Sequence, residues 1–320
     1  VDLEGTPLRR SLFALPLVLA SALVLAGCAG DEGAPASTDE PDAAFDVCAT
    51  PGGEAASAIA VSGDFGSQPT IDFAAGLTVD ETEREVLIAG GEVAPGALVS
   101  VAYALYNATT GEELESYGWG AGDPATPFRA DPGLLSAGFA KTLGCLGEGS
   151  RVVGVIPSDE GFGEQGVDLG VGLDDALLFV VDVLSENRWT TDLPVVGGTD
   201  DAPTVTLPST APKTDLEIAV LEEGDGDVVG ITDSVTVHYL GTAWETGEIF
   251  DQSYTRGEPA TFSVQGVVAG FKEALVGQTV GSRVIVTMPP ALGYGAQEGH
   301  ALQNSTLVFL IDIVDTAPAA

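Results

Sequence analysis

The chain has 320 residues, more than one ordinary domain needs, and an apolar fraction of 45%, enough to build real cores. With 11 Lys and Arg against 48 Asp and Glu, the net charge is −37. That balance excludes a nucleic-acid partner, because phosphate contacts need clustered basic side chains, and it reads as a solvated, self-repelling surface.

In chain order, Arg9 and Arg10 precede an apolar run from Leu12 to Ala26. The run is short for a spanning helix and reads as a leader over residues 1–27. Leu25-Ala26-Gly27-Cys28 resembles the lipobox of bacterial lipoprotein signal peptides. The resemblance implies cleavage before Cys28, a lipid on its sulfur, and attachment by that anchor alone to the outer side of the cytoplasmic membrane. Residues 28–46, rich in Ala, Gly, Ser, Pro, Asp and Glu, form a flexible acidic tether. Cys48 and Cys145 remain; an even pair in an exported protein favours a disulfide, and the alternative is two unpaired buried thiols.

From Val47 the chain turns strand-like, and an internal repeat organises it. Val99-Ser-Val-Ala-Tyr103 with Gly111 matches Val235-Thr-Val-His-Tyr239 with Gly247 at an offset of 136. Gly138-Phe139 and Gly149-Ser-Arg-Val152 match Gly270-Phe271 and Gly281-Ser-Arg-Val284 at 132, and Phe179 and Asp182 match Phe309 and Asp312 at 130. Pro69-Thr70-Ile71 pairs in the same way with Pro203-Thr204-Val205. A period this long means tandem domains rather than a solenoid. They are placed at 47–187 and 214–316, with 188–213 as linker and lead-in strand. In the second copy, Leu216–Val220 and Val235–Tyr239 alternate as strands, and Arg283–Met288 and Thr306–Val314 are apolar on both faces, as central strands are. Val268, Phe271 and Leu275 share one face of a short helix predicted over Val268–Val276. Sheet plus one short helix is an α+β architecture.

The second copy resembles the FKBP-type peptidyl-prolyl cis-trans isomerases. Val237-His-Tyr239, Gly247-Glu-Ile-Phe250-Asp251-Gln-Ser253 and Val267-Val268-Ala-Gly270-Phe271 occur in the family's order. Pro290-Ala-Leu-Gly-Tyr294-Gly295 and Asn304-Ser-Thr-Leu-Val-Phe309 follow in turn. The resemblance implies an antiparallel sheet curled around one short helix in each copy, with an aromatic pocket for a proline ring. It assigns Asp251, Tyr294, Phe250 and Phe309 to catalysis, and Tyr239, Arg256, Phe262, Val267, Val268, Phe271 and Leu302 to the substrate. Proline-containing exported polypeptides are the expected substrates, and macrolides of the tacrolimus and rapamycin type the expected inhibitors. Prolyl isomerisation makes and breaks no bond, so no cofactor or metal is expected. Two departures stand out. Phe271 occupies a floor position that is often Trp, and Ala301-Leu302-Gln303 replaces the usual Ile-Pro-Pro, with Leu302 expected to supply the missing apolar contact.

The first copy departs further, with Leu114 for Phe250, Glu115 for Asp251, Ser136 for Val268 and Phe162 for Tyr294, and reads as a degenerate site. Of the two histidines, His238 falls on a strand and is expected to be a packed or surface residue; zinc spacing, GxSxG, P-loop and EF-hand motifs are absent from the sequence. The competing readings are a non-catalytic lipoprotein that holds Pro-containing segments in the same groove, and a solute-binding lipoprotein, which the tandem repeat disfavours.

Overall fold

A computed structural model describes residues 46–120, 125–131 and 134–318. Cys28 and the leader lie outside the described residues. Among the described residues no helix is long and apolar enough to cross a membrane.

A short helix α1 (Glu54–Ser57) leads into the hairpin β1 (Ala60–Ser62) and β2 (Thr70–Asp72). The first large sheet follows with β3 (Glu83–Ile88), β4 (Leu98–Asn107), β5 (Glu113–Tyr117) and β6 (Thr126–Arg129), the helix α2 (Ala137–Leu143), then β7 (Arg151–Ile156) and β8 (Leu177–Glu186). A second hairpin, β9 (Val195–Thr199) and β10 (Ala202–Thr206), opens the second half. Its sheet comprises β11 (Glu217–Glu222), β12 (Ser234–Ala243), β13 (Ile249–Gln252) and β14 (Ala260–Ser263), then α3 (Ala269–Leu275), β15 (Arg283–Met288) and β16 (Leu307–Ala317). The strand orders are β3-β7-β8-β4-β5 with β6 on β4, and β11-β15-β16-β12-β13 with β14 on β12. Both sheets are antiparallel throughout and share one topology, so each half is an α+β unit built on a six-stranded sheet, with α2 or α3 at the equivalent place. The helix expected over Val268–Val276 is one residue shorter at each end, because Val268 and Val276 hold extended backbone as its caps.

Strand alternation sorts the second sheet into two faces. Tyr239, Val284, Val286, Phe309 and Ile311 face the helix and form one core with Phe271, Ala274 and Leu275. Leu240, Ile285, Val308 and Leu310 point the other way, onto Trp189, Trp244 and the hairpin residues Val196 and Val205. The stretch expected as linker and lead-in strand is thus a folded cover for the back of the sheet, and that is why β15 and β16 are apolar on both faces. The hairpin β1–β2 does the same for the first sheet, where Val61 and Ile71 pack on Val153, Val155, Leu178 and Val180.

The repeated Gly-Ser-Arg-Val motif pins these covers down. Arg151 binds Asp182 through Nε at 2.6 Å and Nη2 at 2.7 Å, and donates to the carbonyls of Gly63 and Asp64 in the hairpin turn. Asp182 in turn accepts from the Gly66 amide at 2.7 Å. In the second half Arg283 grips Asp312 at 2.6 and 2.8 Å and reaches Asp200, in the turn between β9 and β10, at 3.4 Å.

The halves are joined through backbone. Trp189 N–H donates to the Ile218 carbonyl and Ile218 N–H to that of Asn187, while the Asn187 side chain bridges Ser100 and the Leu216 carbonyl. At the other end of the first half Cys48 and Cys145 form a disulfide across a sequence separation of 97, which holds the entry segment beneath the C-terminus of α2. In the chain-entropy treatment a loop of this size contributes about 4–5 kcal/mol. Reduction is expected to lower the denaturation midpoint, and unfolding curves with and without reductant will test it; superimposable curves would contradict it.

Candidate active site: an aromatic hollow between sheet and helix

Each ring of the site is placed by the register. Tyr239 lies on β12, opposite Ile311 of β16 and beside β13; Phe309 of β16 lies opposite Gly241 of β12 and Val286 of β15. Phe262 comes from β14, Phe250 from β13 and Phe271 from α3. Phe271 reaches the floor because Gly270 lets the helix approach β15: a Cβ there would stand 2.7 Å from that of Met288. Gly138 performs the same service in the first half, where a Cβ would meet Ile156 at 2.1 Å, which accounts for the repeated Gly-Phe pair.

The five rings converge. Phe271 and Phe309 meet edge to face at 5.0 Å, Phe250 and Phe309 at 5.4 Å, Tyr239 and Phe262 at 5.8 Å, and Tyr239 and Phe271 at 6.3 Å. Such edge-to-face contacts stabilise the set beyond its apolar burial. Tyr239, Phe271 and Phe309 are buried, while Phe250, Phe262, Val267, Val268, Tyr294 and Leu302 pack on that core half-buried, as the wall of a hollow must.

Three polar groups meet at the rim. Tyr239 Oη donates to Asp251 Oδ2 at 2.5 Å. Arg256 donates through Nη1 to Asp251 Oδ1 and through Nη2 to Tyr239 Oη, both at 2.8 Å, with its guanidinium carbon 5.5 Å from the Tyr239 ring centre. Burial pushes the Asp251 carboxyl upward, but hydrogen bonds from Tyr239, Arg256 and the Gln252 amide outweigh it and hold the group below the ordinary aspartate value. The same surroundings, burial first, raise the Tyr239 phenol. A depressed carboxylate contributes fully above its unfolded value of about 3.9 and loses that contribution as pH falls through the folded one. The Asp251 arrangement is therefore expected to stay intact from neutral pH down to about pH 4. Titration of the Tyr239 ring by NMR will show this, and an Asp251-linked midpoint above about pH 5 would contradict it.

Two donors remain for a ligand. Neither the Tyr294 hydroxyl nor the Val268 N–H has a hydrogen-bond acceptor among the described residues. Tyr294 is held by a stack on His300, with ring centres 4.1 Å apart and planes 16° from parallel. His300 Nδ1 accepts from the Leu302 amide. The loop that departs from Ile-Pro-Pro is closed by hydrogen bonds instead: Gln303 accepts from Gly299 N–H at 3.0 Å and donates to the Gly295 carbonyl at 3.3 Å, with Leu302 turned onto the core. His238, off the site, bonds Ser253 and stacks on Tyr254.

Against known proteins, the sequence profile described as FKBP-type peptidyl-prolyl cis-trans isomerase matches residues 226–314. A probable FK506-binding protein of Corynebacterium glutamicum is 39% identical over 115 residues, which is 36% of this chain and 98% of that one. The chain belongs to the FKBP-type peptidyl-prolyl cis-trans isomerase family. The FKBP-type isomerase FkpA of Escherichia coli is 40% identical over 107 residues, 33% of this chain and 39% of that protein. Its crystal structure superimposes over 33% of this chain and 49% of that one with a TM-score of 0.31.

Sequence reasoning missed Gly241, a residue on which this FKBP site depends. A Cβ there would stand 2.6 Å from Phe250 and 2.8 Å from Phe309. At the corresponding places the first half has Leu105 and Leu114, so a side chain on β4 replaces the ring on β5. The signal lay in the exchange of Gly plus Phe for Leu plus Leu, legible only once the register was known.

The first half keeps much of the ring set. Phe139 and Phe179 meet at 4.8 Å, Phe139 and Phe162 at 5.5 Å, and Tyr103 lies 5.5 Å from Phe179 and 5.6 Å from Phe128. Phe162 in place of Tyr294 removes a hydroxyl, and Ser136, at the N-cap position of α2, has a buried Oγ with no hydrogen-bond partner among the described residues.

Proposed function

We propose that this FKBP is a peptidyl-prolyl cis-trans isomerase of exported polypeptides, with catalysis in residues 214–316 and residues 47–187 forming a degenerate companion domain. The observation that carries the reading is the convergence of Tyr239, Phe250, Phe262, Phe271 and Phe309 on one hollow bearing unengaged donors at Tyr294 and Val268.

The chemistry asked of such a hollow is modest. Amide resonance sets a barrier of roughly 18–20 kcal/mol, so an unassisted X-Pro bond turns over in tens to hundreds of seconds. Twisting the bond localises charge and destroys planarity. A dry pocket disfavours the polar planar amide and fits the twisted one better. The rings enclose the proline, and Tyr294 Oη and Val268 N–H donate to backbone carbonyls of the substrate. Asp251, with Arg256, fixes the Tyr239 hydroxyl at the rim.

Anchoring through Cys28 on the outer side of the cytoplasmic membrane would place the site where exported chains fold, and macrolides of the tacrolimus and rapamycin type would compete for the hollow. A protease-coupled assay of the full chain on a short X-Pro peptide tests the reading. Acceleration that the macrolide abolishes is expected. Peptide binding without acceleration would instead make this a holding module, and neither would end the assignment.

A further inference from the structure

In so acidic a chain, a cation without a carboxylate partner is out of the ordinary. With 48 Asp and Glu at hand, Lys141, Lys213, Lys272, Arg151, Arg256 and Arg283 each stand in an ion pair. Arg84 donates to the carbonyls of Val47, Cys48 and Lys141. Among the described residues that leaves Arg129 and Arg188. Neither is in an ion pair, and both line the same cavity.

The cavity has a volume of about 330 Å³ and lies at the joint between the halves. Val93 and Leu98 wall it from the first half, and Ile218 and Val220 from the second. Arg129 ends β6. Its Nη1 donates to the Gly96 carbonyl at 3.2 Å, while its Nε is buried with no hydrogen-bond partner. A Cβ on Gly277, in the second half, would stand 3.7 Å from that nitrogen. Burial lowers the pKa of the Arg129 guanidinium, and Glu273 and Asp131 offset only part of that. Arg188 follows Asn187, whose side chain ties the halves together, and is exposed at the cavity. Glu92 and Glu186 also line the space, yet neither pairs with either arginine. The Glu186 carboxylate is turned to Gly147, where a Cβ would stand 3.1 Å from Oε1.

A guanidinium held partly out of water without a counter-charge is costly, and a carboxylate offsets that cost through paired, charge-assisted hydrogen bonds. The volume falls near the lower end of ligand pockets, roughly 300–1,000 Å³, and suits a small apolar body. The net charge of −37 repels free anions at long range, so charge alone does not fill the site; burial of apolar surface has to add to it.

We propose that this cavity binds an organic carboxylate with an apolar body, the carboxylate on Arg129 and Arg188 and the body on Leu98, Ile218 and Val220. The carboxyl end of a polypeptide and a free small carboxylate present that same chemistry. None of the rings of the second hollow lines the cavity, so the site stands independently of whether that hollow turns proline over.

The test is calorimetric or NMR titration of the full chain with acetyl-Leu-Leu bearing a free carboxyl, with its carboxamide, with octanoate and with inorganic phosphate. Saturable binding of at least one of the two organic acids is expected, and which of them binds more tightly distinguishes a chain end from a free carboxylate. Where acetyl-Leu-Leu binds, it should do so at least about tenfold more tightly than its amide. Arg188→Gln, at an exposed side chain, should weaken binding by about tenfold and leave isomerase activity unchanged. Arg129→Gln should do the same to binding, and Arg188→Gln suffices should Arg129→Gln perturb folding. Lys141→Gln removes a positive charge outside the cavity and should have little effect. Failure of both acids to bind, equal affinity for acid and amide, or phosphate binding as tightly as the organic acids would overturn the proposal. So would equal losses in the Lys141 and Arg188 variants, because attraction would then belong to overall charge.

Discussion

Asp251→Leu is expected to lower kcat/KM on an X-Pro peptide by an order of magnitude or more while the chain stays folded. The carboxylate is the common acceptor for Tyr239 and Arg256. Its loss frees the phenol and the guanidinium to reorient across the mouth of the hollow, and a tenfold loss corresponds to about 1.4 kcal/mol in the barrier. Folding should change little, since the Asp251 and Arg256 side chains are 48% and 49% exposed and an ion pair so open to water adds little to stability. Phe309→Ala is a poorer probe of the same site. Phe309 is 4% exposed and touches Phe250, Phe271 and Tyr239, so its truncation also costs about 3–5 kcal/mol of stability. Activity measured beside unfolding midpoints for both variants will separate the effects. An Asp251→Leu protein with wild-type turnover would remove Asp251 from the site.

The sequence carried the second half nearly whole, because its strands alternate cleanly and the residues that line the hollow are large and chemically distinctive. Tyr239, Phe250, Asp251, Phe271, Tyr294 and Phe309 could be named without coordinates because they stand in the order and spacing of the FKBP family's motifs. Gly241 could not: it acts by lacking a side chain, and only the register of β12 against β13 and β16 sets it beneath two rings. His300 was equally invisible, since its stack on Tyr294 depends on the path of a loop whose sequence departs from Ile-Pro-Pro. Of the hairpins β1–β2 and β9–β10, the sequence showed the matched Pro69-Thr70-Ile71 and Pro203-Thr204-Val205 and a lead-in strand within 188–213. Their partner strands, β1 too short and β9 interrupted by Gly, did not stand out. The further trace of both covers was indirect, in central strands apolar on the face turned away from the helix.

The repeated Arg and Asp of the two halves should not be equivalent in stability. Asp182→Ala is expected to destabilise the protein by about 3–5 kcal/mol, because it strands Arg151, whose side chain is 3% exposed, without a counter-charge and leaves the Gly66 amide without an acceptor. Asp312→Ala removes the matching carboxylate, yet Arg283 and Asp312 are 16% and 22% exposed, and Asp200 and Glu222 lie within 3.4 and 3.8 Å of the guanidinium. Water and those acids can take over part of the interaction, so a loss of about 1–2 kcal/mol is expected. Replacing both partners as Arg151→Met with Asp182→Leu should recover part of the first loss by removing the buried charge. It cannot recover all of it, since Gly63, Asp64 and Gly66 still lose the bonds that hold the β1–β2 turn to the sheet. Urea unfolding of the three variants at neutral pH will rank them. Equal losses for Asp182→Ala and Asp312→Ala would mean that the two pairs are solvated alike, and that burial beneath the first hairpin adds nothing.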